Sequence, residues 1–100
     1  MAPQPYLIRT KTNEKIILSG ETFRIGKEEG YVNYCVKDNP TISRSHAVIR
    51  KDDNGYTIVD TNSTNHTYVD GKMTTGSAGA QLTHGVRIRL SDEEFVFYKS

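Results

Sequence analysis

Residues able to do chemistry are densest in two stretches, Thr41-Ile42-Ser43-Arg44-Ser45-His46-Ala47 and Asp60-Thr61-Asn62-Ser63-Thr64-Asn65-His66-Thr67. They supply hydroxyls, a guanidinium and a carboxamide, with no evident general base for any of them. Such groups can surround an oxyanion and donate hydrogen bonds to it without attacking it. A third piece, Phe23-Arg24-Ile25-Gly26-Lys27, adds an ammonium behind a glycine. Together they read as a receptor for a phosphate group.

Two other readings stand beside it. Ser43, His46 and Asp60 contain the side chains of a hydrolase triad, but residues three apart in an extended segment point to opposite faces. The chain has no nucleophile elbow and no phosphate-cradling glycine loop, and His46, His66 and His84 lack metal-ligand spacing. No metal or cofactor is expected. The second alternative is a phosphate-independent interaction or dimerisation module on the same scaffold.

Composition narrows the field. The 100 residues suit one domain spanning 1–100, and residues 1–5, with Pro3 and Pro5, read as a flexible N-terminal tail. A formal charge of +1 and no cluster of Lys or Arg argue against a nucleic-acid surface. No apolar run approaches the roughly 20 residues of a membrane-spanning helix. Cys35 is the lone cysteine, so no internal disulfide can form. It reads as a small buried hydrophobe in a protein of the reducing cytoplasm. The chain is expected to be a monomeric module of a larger protein.

The elements that must position these groups are strands. Val86-Arg87-Ile88-Arg89-Leu90 alternates apolar and charged residues, as do Phe23 and Ile25 with Arg24. Ala47 and Ile49 share one face with Val48 opposite, Tyr56 and Ile58 form another such run, and Phe95-Val96-Phe97-Tyr98 closes the series. Turn signals punctuate them: Asn13-Glu14, Ser19-Gly20, Asn39-Pro40, Asn54-Gly55, Asp70-Gly71 and Ser91-Asp92. Asn54-Gly55 and Asp70-Gly71 predict type I′ hairpins, which need positive φ at both central residues. Gly76–Ala80 is too small-sided to pack and is expected to be a mobile loop. The six tyrosines read as packing residues, Arg87 and Arg89 as a solvated strand face, and Asn39 and Asn62 as turn residues. An antiparallel β-sandwich follows, its polar loops gathered at one end.

Phe-x-Ile-Gly-Lys at 23–27, Ser-Arg-x-His-Ala at 43–47 and Asp-x-x-Ser-Thr-Asn-x-Thr-x-Val-x-Gly at 60–71, in this order, resemble the forkhead-associated (FHA) domain. The resemblance implies a SMAD/FHA-like sandwich of about eleven short strands whose loops bind phosphothreonine in a partner protein. It assigns phosphopeptide contacts to Lys27, Ser43, Arg44, Thr64 and Asn65, with Gly26 and His46 as supports. His46 would tie two loops together. Thr41 and His66 are placed to read residues flanking the phosphothreonine. Two positions depart from the pattern. Lys27 stands where the family usually has Arg, and His66 where it commonly has Gly, although His tolerates positive φ poorly.

Overall fold

The computed structural model describes residues 4–53, 55–61, 63–74 and 79–99, and the alternating segments become its strands. They are β1 Tyr6–Arg9, β2 Glu14–Ile17, β3 Thr22–Gly26, β4 Tyr34–Cys35, β5 Ala47–Asp52, β6 Gly55–Asp60, β7 Thr67–Val69, β8 Lys72–Met73, β9 Ala80–Leu82, β10 Arg87–Leu90 and β11 Glu93–Tyr98. A single 3-10 turn, Glu29–Tyr31, is the other regular element among the described residues. The strands form two sheets, ordered β2-β1-β11-β10-β7-β8 and β4-β3-β5-β6-β9.

The core lies between the sheets. In β11 the inward residues Phe95 and Phe97 are fully buried, as are Ile88 and Leu90 of β10, Leu7 of β1 and Ile25 of β3. Burying each such side chain contributes roughly 1.5–3 kcal/mol, so the alternation fixes which face of every strand turns inward. Val48 does point to the opposite face from Ala47 and Ile49, yet it is itself buried, as is its cross-strand partner Val59.

Four details differ from expectation. The sandwich is not wholly antiparallel, because β3 and β4 pair in parallel through Ile25↔Tyr34 and Gly26↔Cys35. The expected tail does not extend through Gln4 and Pro5. Pro5 is buried, its carbonyl accepts the Leu18 amide at 3.0 Å, and the Gln4 Nε2 donates to the Leu18 carbonyl at 2.8 Å. Ala80 opens a strand rather than closing a loop. Cys35 is half-buried, and its thiol donates to the Lys27 carbonyl at 3.1 Å. The expectations for residues 1–3, Asn54, Asn62 and 76–78 lie outside the described residues. Asp70 (φ 53°) and Gly71 (φ 85°) take the two positive φ angles expected of a type I′ turn, joining Val69 to Lys72.

The sequence signalled nothing of a buried charge cluster between the sheets. Arg9 looks like one more exposed strand cation, but its inward position leaves it 5% exposed. Its guanidinium forks onto Glu93 at 2.7 and 2.9 Å, reaches Asp38 at 2.7 Å and meets the Tyr34 hydroxyl at 3.3 Å. The Arg9 hydrogen bond holds the Asp38 carboxyl at about 2, well below its ordinary value. Asn39 joins the same cluster, donating to Glu93 at 3.1 Å and Asp92 at 2.7 Å. The cluster therefore pins the β4–β5 loop to the β10–β11 corner.

Removing one partner of a buried ion pair strands the other charge. Arg9→Ala is expected to lower the unfolding free energy by about 3–5 kcal/mol, read by urea denaturation. The paired replacement Arg9→Leu with Glu93→Leu should lose less than Arg9→Ala alone. A larger loss in the pair would place the stabilisation elsewhere.

Candidate functional site

Strand directions bring the polar loops to one end. β3 ends there at Gly26, β5 begins there at Ala47, β6 ends at Asp60, β7 begins at Thr67 and β10 ends at Leu90. The register that pairs Ile25 with Ala47, Ala47 with Asp60 and Thr67 with Leu90 sets the connecting loops side by side.

Gly26 is buried and packs against backbone. A Cβ there would stand 2.1 Å from the Arg44 carbonyl oxygen and 2.9 Å from the Ser45 Cα, so only glycine lets the loops approach this closely. Just beyond it, the Lys27 amide donates to the Ser43 carbonyl at 3.0 Å, and the Glu28 amide donates to the Arg44 carbonyl at 3.1 Å. Lys27 and Arg44 are exposed, and no ion pair among the described residues engages either one.

Ser43 is the point at which three segments meet. Its carbonyl accepts from Lys27, its amide donates to His46 Nδ1 at 3.1 Å, and its Oγ accepts the Thr64 amide at 3.0 Å. An oxygen that accepts in this way keeps its own hydrogen free to donate. Asn65 Nδ2 donates to the Thr41 carbonyl at 2.8 Å, which draws the β6–β7 loop onto the β4–β5 loop a second time. No hydrogen bond among the described residues engages its Oδ1.

His46 is fully buried beneath this junction. Because Nδ1 accepts the Ser43 amide, Nε2 carries the hydrogen and donates to the His66 carbonyl at 2.8 Å. Burial, followed by the neighbouring His66, pushes the imidazole below its ordinary value of 6.5, against the opposing effects of the His66 carbonyl and Asp60. The neutral ring is thus the native form. His66 does adopt positive φ, 67°, as the family's glycine would, and its carbonyl also accepts the Ser91 amide at 3.1 Å. Its side chain is exposed.

The separation expected between Ser43 and His46 is not observed. The segment is a turn rather than an extended strand, so the two residues touch. The contact runs through the Ser43 backbone amide, and both ring nitrogens are already engaged. Asp60 sits in a brace of its own, accepting the Ser63 hydroxyl in a short hydrogen bond, the Ser63 amide at 3.0 Å and the Thr67 hydroxyl at 2.8 Å. Burial raises its carboxyl, but these hydrogen bonds outweigh burial and hold it below the ordinary value.

Asn39 exceeds its expected role as a turn residue. It is buried, and its Oδ1 accepts both the amide and the hydroxyl of Thr41, at 3.0 and 2.6 Å. The Thr41 hydroxyl also contacts Asp92 at 3.1 Å and accepts from Ser91 at 2.8 Å. Local sequence carried only the Asn-Pro turn signal, which says nothing about the distant Asp92 and Glu93. A cleft of about 510 Å³ opens at the opposite end, lined by residues including Pro5, Leu18, Glu21, Lys51, Asp53 and Tyr56. None of the rim residues borders it.

The family model described as the FHA domain matches residues 23–91. The chain belongs to the FHA-domain family. EmbR of Mycobacterium tuberculosis, solved in complex with a low-affinity phosphopeptide, is 29% identical, with a TM-score of 0.87 over 98% of this chain. This FHA domain spans 25% of that chain's length. A structure from work on phosphothreonine-dependent FHA domain interactions is 26% identical, with a TM-score of 0.84, and the match covers 97% of each chain. The FHA domain of a Chlamydia trachomatis protein, at 23% identity and TM-score 0.83 over 97% of this chain and 98% of its own, shares the fold. No curated protein sequence matches the chain.

Gly26→Ala is expected to cost roughly 1–3 kcal/mol or more, because backbone rather than a flexible side chain must move. Amide chemical shifts of Ser43 and Arg44 should change with it. A variant with parental stability would show that the loops can separate freely.

The unfolded chain protonates His46 more readily than the folded one does. Its contribution to stability is therefore complete above the ordinary imidazole value of 6.5 and is lost as the pH falls below it. In His46→Asn, the decline in stability between neutral and mildly acid pH should be shallower than in the parent. An unchanged slope would assign that titration to another group.

Proposed function

We propose that this FHA domain binds phosphothreonine peptides of a partner protein at the rim formed by Lys27, Ser43, Arg44, Thr64 and Asn65. The observation that carries the reading is the junction at Ser43. Backbone hydrogen bonds hold Lys27 and Thr64 against a serine whose own hydroxyl hydrogen is uncommitted. No ion pair among the described residues engages the two solvent-facing cations beside it. A dianionic phosphate completes that set. The likeness to EmbR, solved with a phosphopeptide, points the same way.

In this reading Ser43 donates its hydroxyl to a phosphate oxygen, and Arg44 supplies a charged contact to the phosphate or the adjoining peptide backbone. Lys27 adds a second positive charge, as a point charge rather than a planar fork. The Thr64 side chain joins them, and Asn65 holds the peptide main chain. Gly26 and His46 keep the loops in register, while Thr41 and His66 face residues beside the phosphothreonine. Hydrogen bonds to charged groups contribute about 1.5–3 kcal/mol each. Three or four of them, less the cost of ordering a peptide, leave roughly micromolar binding, near −8 kcal/mol.

The domain does no catalysis in this proposal, since His46 has no nitrogen free to take a proton from Ser43. It acts as a monomeric recognition module within a longer cytoplasmic protein and uses neither nucleic acid nor membrane. The rival reading, a phosphate-independent module, draws on Lys27 in place of Arg and on His66.

Titration with one threonine peptide, phosphorylated and unphosphorylated, separates the two. The proposal expects binding only to the phosphorylated form, and equal binding to both would favour the rival. Ser43→Ala and Arg44→Ala should each remove most of the affinity while leaving the thermal midpoint within a few degrees, about what a surface change allows. Lys27→Arg should hold or raise affinity, and a large drop there would turn that side chain away from the phosphate.

A further inference from the structure

The two outer faces of the sandwich differ. An antiparallel sheet with one face in the core normally turns polar residues outward on the other. The β3–β5–β6–β9 sheet does so with Thr22, Arg24, Arg50, Thr57 and Gln81, around one covered outward pair, Val48 and Val59. The other sheet does not. Outward positions on its adjacent strands β2, β1 and β11 carry Ile17, Tyr6, Ile8, Val96 and Tyr98.

Their register makes them one patch. Tyr6 lies between Ile17 and Tyr98, and Ile8 lies beside Val96. The Tyr6 and Tyr98 rings stack with centroids 5.3 Å apart, and Ile17 is 43% exposed. Cations border the patch. Lys15 Nζ sits 4.4 Å over the Tyr6 ring, Arg89 lies 4.0 Å over Tyr68, and Arg87 flanks Val96. Among the described residues Glu94 faces out with them, opposite Arg89 in register and 3.7 Å from Arg87.

We infer that this face is a second docking surface, for a partner protein segment that combines apolar side chains with carboxylates. Charge selects that occupant. A second copy of this chain would bring the same surplus of cations, Lys15, Arg87 and Arg89 against Glu94, to the interface. A membrane would call for apolar groups that protrude, whereas Tyr6, Ile8, Val96 and Tyr98 are half-buried, with Tyr6 stacked on Tyr98 and Lys15 over the Tyr6 ring. An apolar centre bordered by Lys15, Arg87 and Arg89 against one outward carboxylate, Glu94, suits a partner of negative charge. The face's apolar centre lies on β2, β1 and β11, none of which supplies a rim residue, so it can be occupied while that rim is engaged; Arg89 alone among the named residues lies near the rim end of β10. The inference stands whether or not the rim binds phosphate.

The test is selection from a displayed library of random unphosphorylated short peptides against the whole domain. The recovered sequences are expected to be rich in Asp and Glu interspersed with Leu, Phe or Tyr. A synthetic peptide of the recovered sequence should shift the amide signals of Ile8, Arg87 and Val96 and bind more weakly as salt rises. Ile8→Glu and Arg87→Glu, checked for parental thermal midpoints, should each weaken it by about tenfold or more. Neither variant should alter phosphothreonine-peptide binding at the rim. Basic or unenriched selections, peptides indifferent to both variants, concentration-dependent dimerisation through this face, or binding to phosphatidylserine vesicles in place of peptides would each overturn the inference.

Discussion

One neutral imidazole holds the rim together. His46 is buried where the β4–β5 and β6–β7 loops meet, accepting from Ser43 with one nitrogen and donating to the His66 carbonyl with the other. Beyond Val36 and Ile42, which reach the core, the β4–β5 loop has little apolar surface to bury, so polar ties must hold the rest. A side chain that could only donate, or only accept, would leave one of the two backbone groups unpaired under cover, which costs about 1–3 kcal/mol. Neutral histidine satisfies both. Its position at the start of β5 is fixed in turn by Ala47, which buries against the core next to it.

A second brace acts from the far side of the same loop. Arg9 and Glu93 secure Asp38 and Asn39, and Asn39 positions Thr41, whose carbonyl receives Asn65. The β4–β5 loop is therefore gripped at both ends: by the ion pair near its start and by the imidazole at its finish. Gly26 closes the remaining side by letting the β3 backbone touch that of Arg44. Stiffness between these anchors reduces the conformational entropy lost when a ligand is held.

Strand placement was legible in the sequence because burial on a pleated strand has period two, as Val86–Leu90 and Phe95–Tyr98 illustrate. That the motif residues would share one end of the sandwich was legible as well, because each group lies at a strand end. The long-range polar partners were not. Nothing beside Arg9 marks it as buried, since its partners Glu93 and Asp38 lie far along the chain. Asn39 looked like a turn former for the same reason. Treating Ser43–His46 as extended misjudged a segment whose Arg44 and Ser45 form a turn. The parallel β3–β4 pair was equally hidden, because two residues are too few to show a period.

The bond from Asn65 to the Thr41 carbonyl has a kinetic side. A carboxamide already parked against its neighbour waits in one rotamer, so an arriving chain need not wait for the side chain to find its place. The nitrogen keeps a second hydrogen, so in the proposed binding mode a peptide carbonyl can be added without displacing Thr41. Such a latch favours rapid capture.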